Sequence, residues 1–296
     1  MTSTLAVQHR PGTSFVASTR AELLRLRKWP ALWVLIAVWL LLTLLFGYVF
    51  DYIGYRTGGS STINEGVPPE LLLADLLPAA IPETALSGLP MFGGAIMMIL
   101  GALTAGSGYS WGTWKTVFTQ GPSRASAFGG ALTAVAIAVV GIMVVTMLLE
   151  FAAATTITVL ESEPLIWPSA LDVVRTFGGG LLISGMWAAA GIFVGTLTRS
   201  PALAVGLGLV WALAVENLLR GVANVLQQLE VVTDVLPGTA AGSLAGAMGA
   251  SAMGDGDGTP GVLTILDGGP AAALLGIYLV VFAALATWVA VRRDVT

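Results

Sequence analysis

Between Ala127 and Leu149 the chain reads AFGGALTAVAIAVVGIMVVTMLL, a run without a single charged residue. A helix of about 20 apolar residues crosses about 30 Å of hydrocarbon, and a helix apolar on every side belongs in a membrane or a large core. Working outward from this run, five more segments of the same kind appear: Pro30–Phe50, Leu86–Gly106, Phe177–Thr196, Ala202–Leu219 and Pro270–Val291. The sequence therefore predicts an all-α membrane protein with six transmembrane helices. Composition agrees, since 56% of the 296 residues are hydrophobic and only 10% are charged, with mean hydropathy +0.86. A soluble domain carries about a quarter charged residues. The first apolar segment starts at Pro30, outruns the apolar core of a signal peptide and lacks a small-residue cleavage site after it, so it reads as a span.

Orientation follows from Lys and Arg. Arg10, Arg20, Arg25, Arg27, Lys28, Lys115, Arg124, Arg199, Arg292 and Arg293 fall on one side of the predicted spans, and Arg56, Arg175 and Arg220 on the other. Ten against three places both termini and the loop 107–126 in the cytoplasm, with loops 51–85, 150–176 and 220–269 outside. Acidic residues such as Glu65, Asp255 and Asp257 cluster on the outer side but carry little topological weight. Ahead of the first span, Phe15, Val16, Leu23 and Leu26 share one arc if residues 15–28 are helical, and Arg20, Arg25, Arg27 and Lys28 lie off it. That pattern reads as an N-terminal amphipathic interfacial helix on the inner leaflet, the alternative being a positive flank that only fixes orientation. Trp29, Trp33 and Trp39 are expected at or just below the interface. Arg-rich, Ala- and Gly-rich usage fits a GC-rich bacterial genome, hence a bacterial cell membrane.

Chemistry is constrained by what is missing. The chain has no Cys, and its one His, His9, sits in the N-terminal tail, which excludes disulfides, thiolate metal sites and imidazole clusters. No Ser/His or Asp/Asp pairing recommends a membrane-embedded enzyme, so no residue is assigned as catalytic. Lys28 and Lys115 are the only lysines and neither follows a Gly-rich phosphate loop, so the chain holds no ATP of its own. The stretch Gly254–Gly258 lacks the spacing of a calcium loop and reads as a linker. The run Leu71–Leu77, flanked by prolines, suggests a short helix on the outer face, and Val222–Val232 another.

The loop after the second span, from Gly106 to Arg124, carries Tyr109, Trp111, Trp114 and Phe118 and ends at Gly121-Pro122. A short helix from Tyr109 or Trp111 to about Thr119 fits, stopped by Gly-Pro. Its aromatics suit either the groove of a partner or the headgroup region.

Here the chain resembles a known family. Tyr109-Ser110-Trp111-Gly112-Thr113, followed by Gly121-Pro122-Ser123-Arg124, is similar to the Tyr-x-x-Gly-Thr … Gly-Pro-Ser-Arg stretch of permease subunits in ABC transporters of the type-2 export class. The sequence-specific part covers roughly residues 88–124, while the layout of spans and loops matches over most of the chain. The resemblance implies that Tyr109, Trp111, Gly112, Thr113, Trp114, Lys115, Thr116 and Arg124 form a coupling helix contacting a separate nucleotide-binding subunit. ATP and Mg would bind that subunit, and a second permease copy, identical or sister, would complete the pathway in membrane lipid, with no nucleic acid among the partners. The implied cargo is lipophilic or amphipathic, such as drugs, antibiotics or lipids. The chain departs from the family where Gly108 replaces a frequent Glu and Gly130 a common Lys. The alternative is a secondary transporter or channel that works without an ATPase.

Charged groups near the spans are candidate pathway residues. Glu150 follows the third apolar run, and Glu216 with Asn217 lies near the end of the fifth. Glu216 and Arg220 are spaced to pair at i,i+4. Either acid could line a cavity, or reach external water from a helix end. Gly191 and Gly195 form a small-xxx-small pair, usable for packing within the chain or between copies.

Overall fold

Inside hydrocarbon no water is available to backbone N–H and C=O groups, so apolar runs of this length satisfy them within helices. The computed structural model describes residues 11–58, 67–119, 122–223, 225–252 and 258–293, and holds no strand among them. His9, Arg10, Glu65, Gly121, Asp255, Asp257 and most of the Gly254–Gly258 linker lie outside the described residues. Among those described, six helices are long and apolar enough to cross a membrane: Pro30–Arg56, Leu89–Ser110, Arg124–Glu161, Ala170–Thr198, Pro201–Ala223 and Gly268–Arg292.

These helices outrun the apolar runs that announce them. The third has 38 residues, about 57 Å at 1.5 Å per residue, against about 30 Å of hydrocarbon. It opens on Ser123, whose Oγ accepts from the Ser126 amide at 3.1 Å, and closes on Ser162 in the left-handed conformation. The expected loop 150–176 contracts accordingly, because the fourth helix already starts at Ala170, capped by Ser169. Asp172 and Arg175 break the apolar run but not the helix. A helix that leaves the bilayer has no need to stay apolar.

The second and fourth spans form the centre: 78% and 67% of their apolar windows are buried, against 17–33% for the others. Small residues allow this. Gly101 lies against the backbone of Ala188 and Ile192, and Gly191 against the backbone of Met98 and Ala102, so each helix presents a glycine to its neighbour's peptide groups. Gly195 faces Ala102 on the same seam. The small-residue pair thus packs within the chain.

The N-terminal helix Pro11–Lys28 runs along the start of the third span. A β-carbon on Gly130 would come within 2.8 Å of the Thr19 amide nitrogen, so the glycine lets the two helices touch. Of the expected apolar arc, Leu26 is buried in the protein, whereas Phe15 and Val16 are exposed. Arg25 also turns inward, pairing with Glu22 at 2.8 Å, donating to the Thr104 carbonyl at 3.2 Å and covering the Trp29 ring.

At the opposite end the helix Pro69–Asp75 is present as expected and buries Leu72 and Leu73. Leu73, Leu76 and Ile81 join Tyr48, Ala154 and Ile157 in a second apolar cluster. Glu161 there accepts from Tyr52 Oη at 2.6 Å and Tyr55 Oη at 3.2 Å, and pairs with Arg56. The Gly/Ala-rich stretch after Pro237 is a buried helix, Pro237–Ala247, with Pro at its first position, where a missing N–H costs nothing. The chain returns across it: the Leu263 amide donates to the Gly242 carbonyl and the Leu266 amide to Ser243 Oγ. The stretch Val222–Val232 is not one helix but breaks between Glu216–Ala223 and Glu230–Asp234.

Candidate functional site

The second span ends at Ser110, and Gly112 then takes φ +67, a left-handed value that favours glycine and closes the helix. The next turn starts the short helix Thr113–Thr119. Its two faces differ. Trp114 is 2% exposed: it stacks on Phe118 at 5.5 Å, packs against Phe128 at 5.7 Å and donates from Nε1 to the Ala105 carbonyl at 3.3 Å. Val117 and Phe118 are half-buried beside it. Trp111, Lys115, Thr116 and Thr119 are exposed on the other face. Trp111 is 64% exposed and meets the rest of the protein edge-on at Trp29, 5.9 Å away.

The residues grouped by sequence therefore separate. Trp111, Lys115 and Thr116 form an outward face; Tyr109, Gly112 and Thr113 are half-buried at its base; Trp114 is buried against the bundle. Arg124 is also tied inward, donating to the Val291 and Arg293 carbonyls at the end of the sixth span and lying over the Phe118 ring. Arg199 covers Tyr109, and Arg293 donates to the Leu197 carbonyl. Basic side chains thus brace this end of the bundle by satisfying helix C-terminal carbonyls. Beneath it, burial pushes the Glu22 carboxyl above its ordinary range, against the pull of the Arg25 guanidinium.

Glu150 and Glu216 do not reach external water: they are 4% and 0% exposed. Their surroundings differ. Glu216 is fully engaged, accepting from Trp211 Nε1 at 2.7 Å and from the Gly238 amide at 2.8 Å. Gly238 lies in the first turn of Pro237–Ala247, so the carboxylate caps that helix where its dipole favours negative charge. The expected ion pair with Arg220 is absent within 4 Å among the described residues; Arg220 donates instead to Thr239 Oγ1 at 3.2 Å and Asn217 Oδ1 at 2.8 Å. Asn217 is exposed and donates to the Leu213 carbonyl. Glu216 and Asn217 are thus both engaged by hydrogen bonds within the chain.

Glu150 faces a cavity of about 230 Å³ instead. Trp39, Phe46, Tyr48 and Phe92 contribute aromatic walls, and neither Glu216 nor Asn217 lines it. Trp39, expected at or just below the interface, is 3% exposed and donates to Thr146 Oγ1 at 2.9 Å. Nothing in the sequence gathers the rest of the wall, which comes from four separate segments. Among the described residues no group of three or more His, Asp or Glu side chains is placed to hold a metal ion.

No protein-family model matches the chain, and no curated protein sequence shows significant similarity to it.

Proposed function

We propose that this chain is the membrane-spanning subunit of an ATP-driven exporter in a bacterial cell membrane, moved by a separate ATPase gripping the helix Thr113–Thr119. The observation that carries the reading is the division of that helix: Trp114 fastens it to the bundle, and Trp111, Lys115 and Thr116 are left facing outward. A lever needs both properties. A rigid root transmits displacement to the spans, and an exposed aromatic beside a cation offers an anchor for a partner's groove. The root packs on Gly108 of the second span, the most buried of the six apolar helices among the described residues, across the Gly112 turn. Motion of the lever would act on the packing seam with the fourth span.

In this reading both termini and the lever face the cytoplasm, in keeping with the ten-to-three distribution of basic residues. The helix Pro11–Lys28 lies along the inner leaflet with Arg20, Arg27 and Lys28 exposed to headgroups. ATP and Mg bind the partner, a second permease copy completes the pathway, and the cargo is lipophilic or amphipathic. The test is to isolate the chain with its native companions from membranes and identify them by mass. An ATPase bearing a phosphate-binding loop is the expected companion. Transport by the chain alone in vesicles, without nucleotide, would overturn the reading.

A further inference from the structure

Glu150 is a buried acid on the third apolar helix. Among the described residues no hydrogen-bond donor and no cation engages its carboxylate, and the cavity it lines contains no Lys, Arg or His. Burying an ionised carboxylate alone is costly, and a cation that arrives with its own apolar body removes that cost. The walls suit such a guest. Trp39, Phe46, Tyr48 and Phe92 line the cavity together with the acid, and aromatic faces attract organic cations. Two π-helical turns, Leu45–Val49 and Leu89–Gly93, supply three of those four rings, and such turns within spans often mark functional sites.

The mouth is defined by exposure. Phe46 is 62% and Phe92 44% exposed, so these two rings mark where the cavity meets the surface of the protein. Glu150 stands 26 residues beyond Arg124 on one helix, about 39 Å along its axis. It lies one turn beyond Thr146, the acceptor of the Trp39 indole, so the acid and that wall of the cavity stand at nearly one level. The volume of about 230 Å³ lies below the usual 300–1,000 Å³ of drug sites, and admits an aryl- or alkyl-ammonium group.

We propose that this cavity binds organic cations from the lipid, with Glu150 as counter-ion to the ammonium group and the four aromatic rings around its apolar body. Use of the site for cargo rests on the exporter reading; binding itself does not.

The full chain in phosphatidylcholine nanodiscs, without any ATPase, is titrated with benzyltrimethylammonium and with its neutral carbon isostere neopentylbenzene, empty discs being subtracted. Glu150→Gln keeps the shape of the side chain and removes its charge. The expected result is cation affinity at least about tenfold higher for the native chain than for Glu150→Gln, with the isostere bound alike by both. Equal cation affinity in the two chains overturns the proposal, as does no cation binding by the native chain. If Glu150→Gln fails to fold, the native chain decides: a tenfold preference for the cation over its isostere, retained in Glu150→Asp, supports the site, and no preference overturns it. Recovery of an ATPase by the same chain is scored separately. Loss of cation binding with recovery intact removes this site alone, and binding without recovery removes the exporter reading alone.

Discussion

The indole of Trp114 lies directly on Gly108, so that a β-carbon on residue 108 would collide with the ring. This contact fixes the angle at which the short helix leaves the second span. It also gives the glycine a packing role at that position. Gly108→Ala is therefore expected to destabilise the chain by about 1–3 kcal/mol, the range of a forced overpacking. The check is the thermal midpoint of the purified chain in detergent, together with the rate of tryptic cleavage at Lys115. A midpoint equal to the native one would show that the indole is not seated there.

Trp111 and Trp114 separate under mutation. Trp114→Ala empties a site buried against Phe118 and Phe128 and should cost about 3–5 kcal/mol of stability. Trp111→Ala loses an edge-on contact with Trp29 and should cost about 1 kcal/mol or less. Partner recovery is expected to reverse the order of interest: Trp111→Ala, still folded, retains markedly less ATPase on affinity purification. Full ATPase recovery by a folded Trp111→Ala would argue against docking on that face.

How far these features could be read in the sequence depends on what each rests upon. The six spans were legible because the bilayer demands apolar side chains over a fixed length, a requirement that residues 127–149 meet without exception. Their ends were not, because beyond the bilayer the demand lapses: Glu161 and Asp172 sit in helices as comfortably as in loops. The short helix was legible from Gly112 and its aromatics, but not which way each ring points. Trp114 and Trp111 are the same residue type three positions apart, and the inward one is seated on Gly108, six residues back. Glu150 and Glu216 looked alike for a related reason. Whether a buried acid is satisfied depends on Gly238 and Trp211 or their absence, and a partner 22 residues away leaves no local trace.

Glu216 should behave as a cap. In Glu216→Gln the amide can accept from only one of its two donors, Trp211 Nε1 and the Gly238 amide, and turns N–H toward the other. Leaving a buried donor unsatisfied costs about 1–3 kcal/mol. The expected signature is local: faster hydrogen exchange over 237–247 with the exchange of the second and fourth spans unchanged. Uniform protection across 237–247 in the variant would show that the carboxylate does not hold that helix.

The central seam offers a contrast between two glycines. Gly191 faces the peptide groups of Met98 and Ala102, which cannot swing aside as a flexible side chain would, whereas a side chain on Gly276 would meet nothing within 4 Å. Gly191→Val must push the second and fourth spans apart, so a loss at or above the upper end of about 1–3 kcal/mol is expected. Gly276→Val should stay within about 0.5 kcal/mol of the native chain. Both substitutions add the same atoms to a spanning helix, so propensity and lipid exposure do not predict the difference; only the proximity of a second backbone does. Denaturation in mixed micelles, followed by helical circular dichroism, reads the two side by side. Equal midpoints would mean that the second and fourth spans do not approach along Gly101, Gly191 and Gly195, and the lever at Thr113–Thr119 would then lack a rigid seam to act upon.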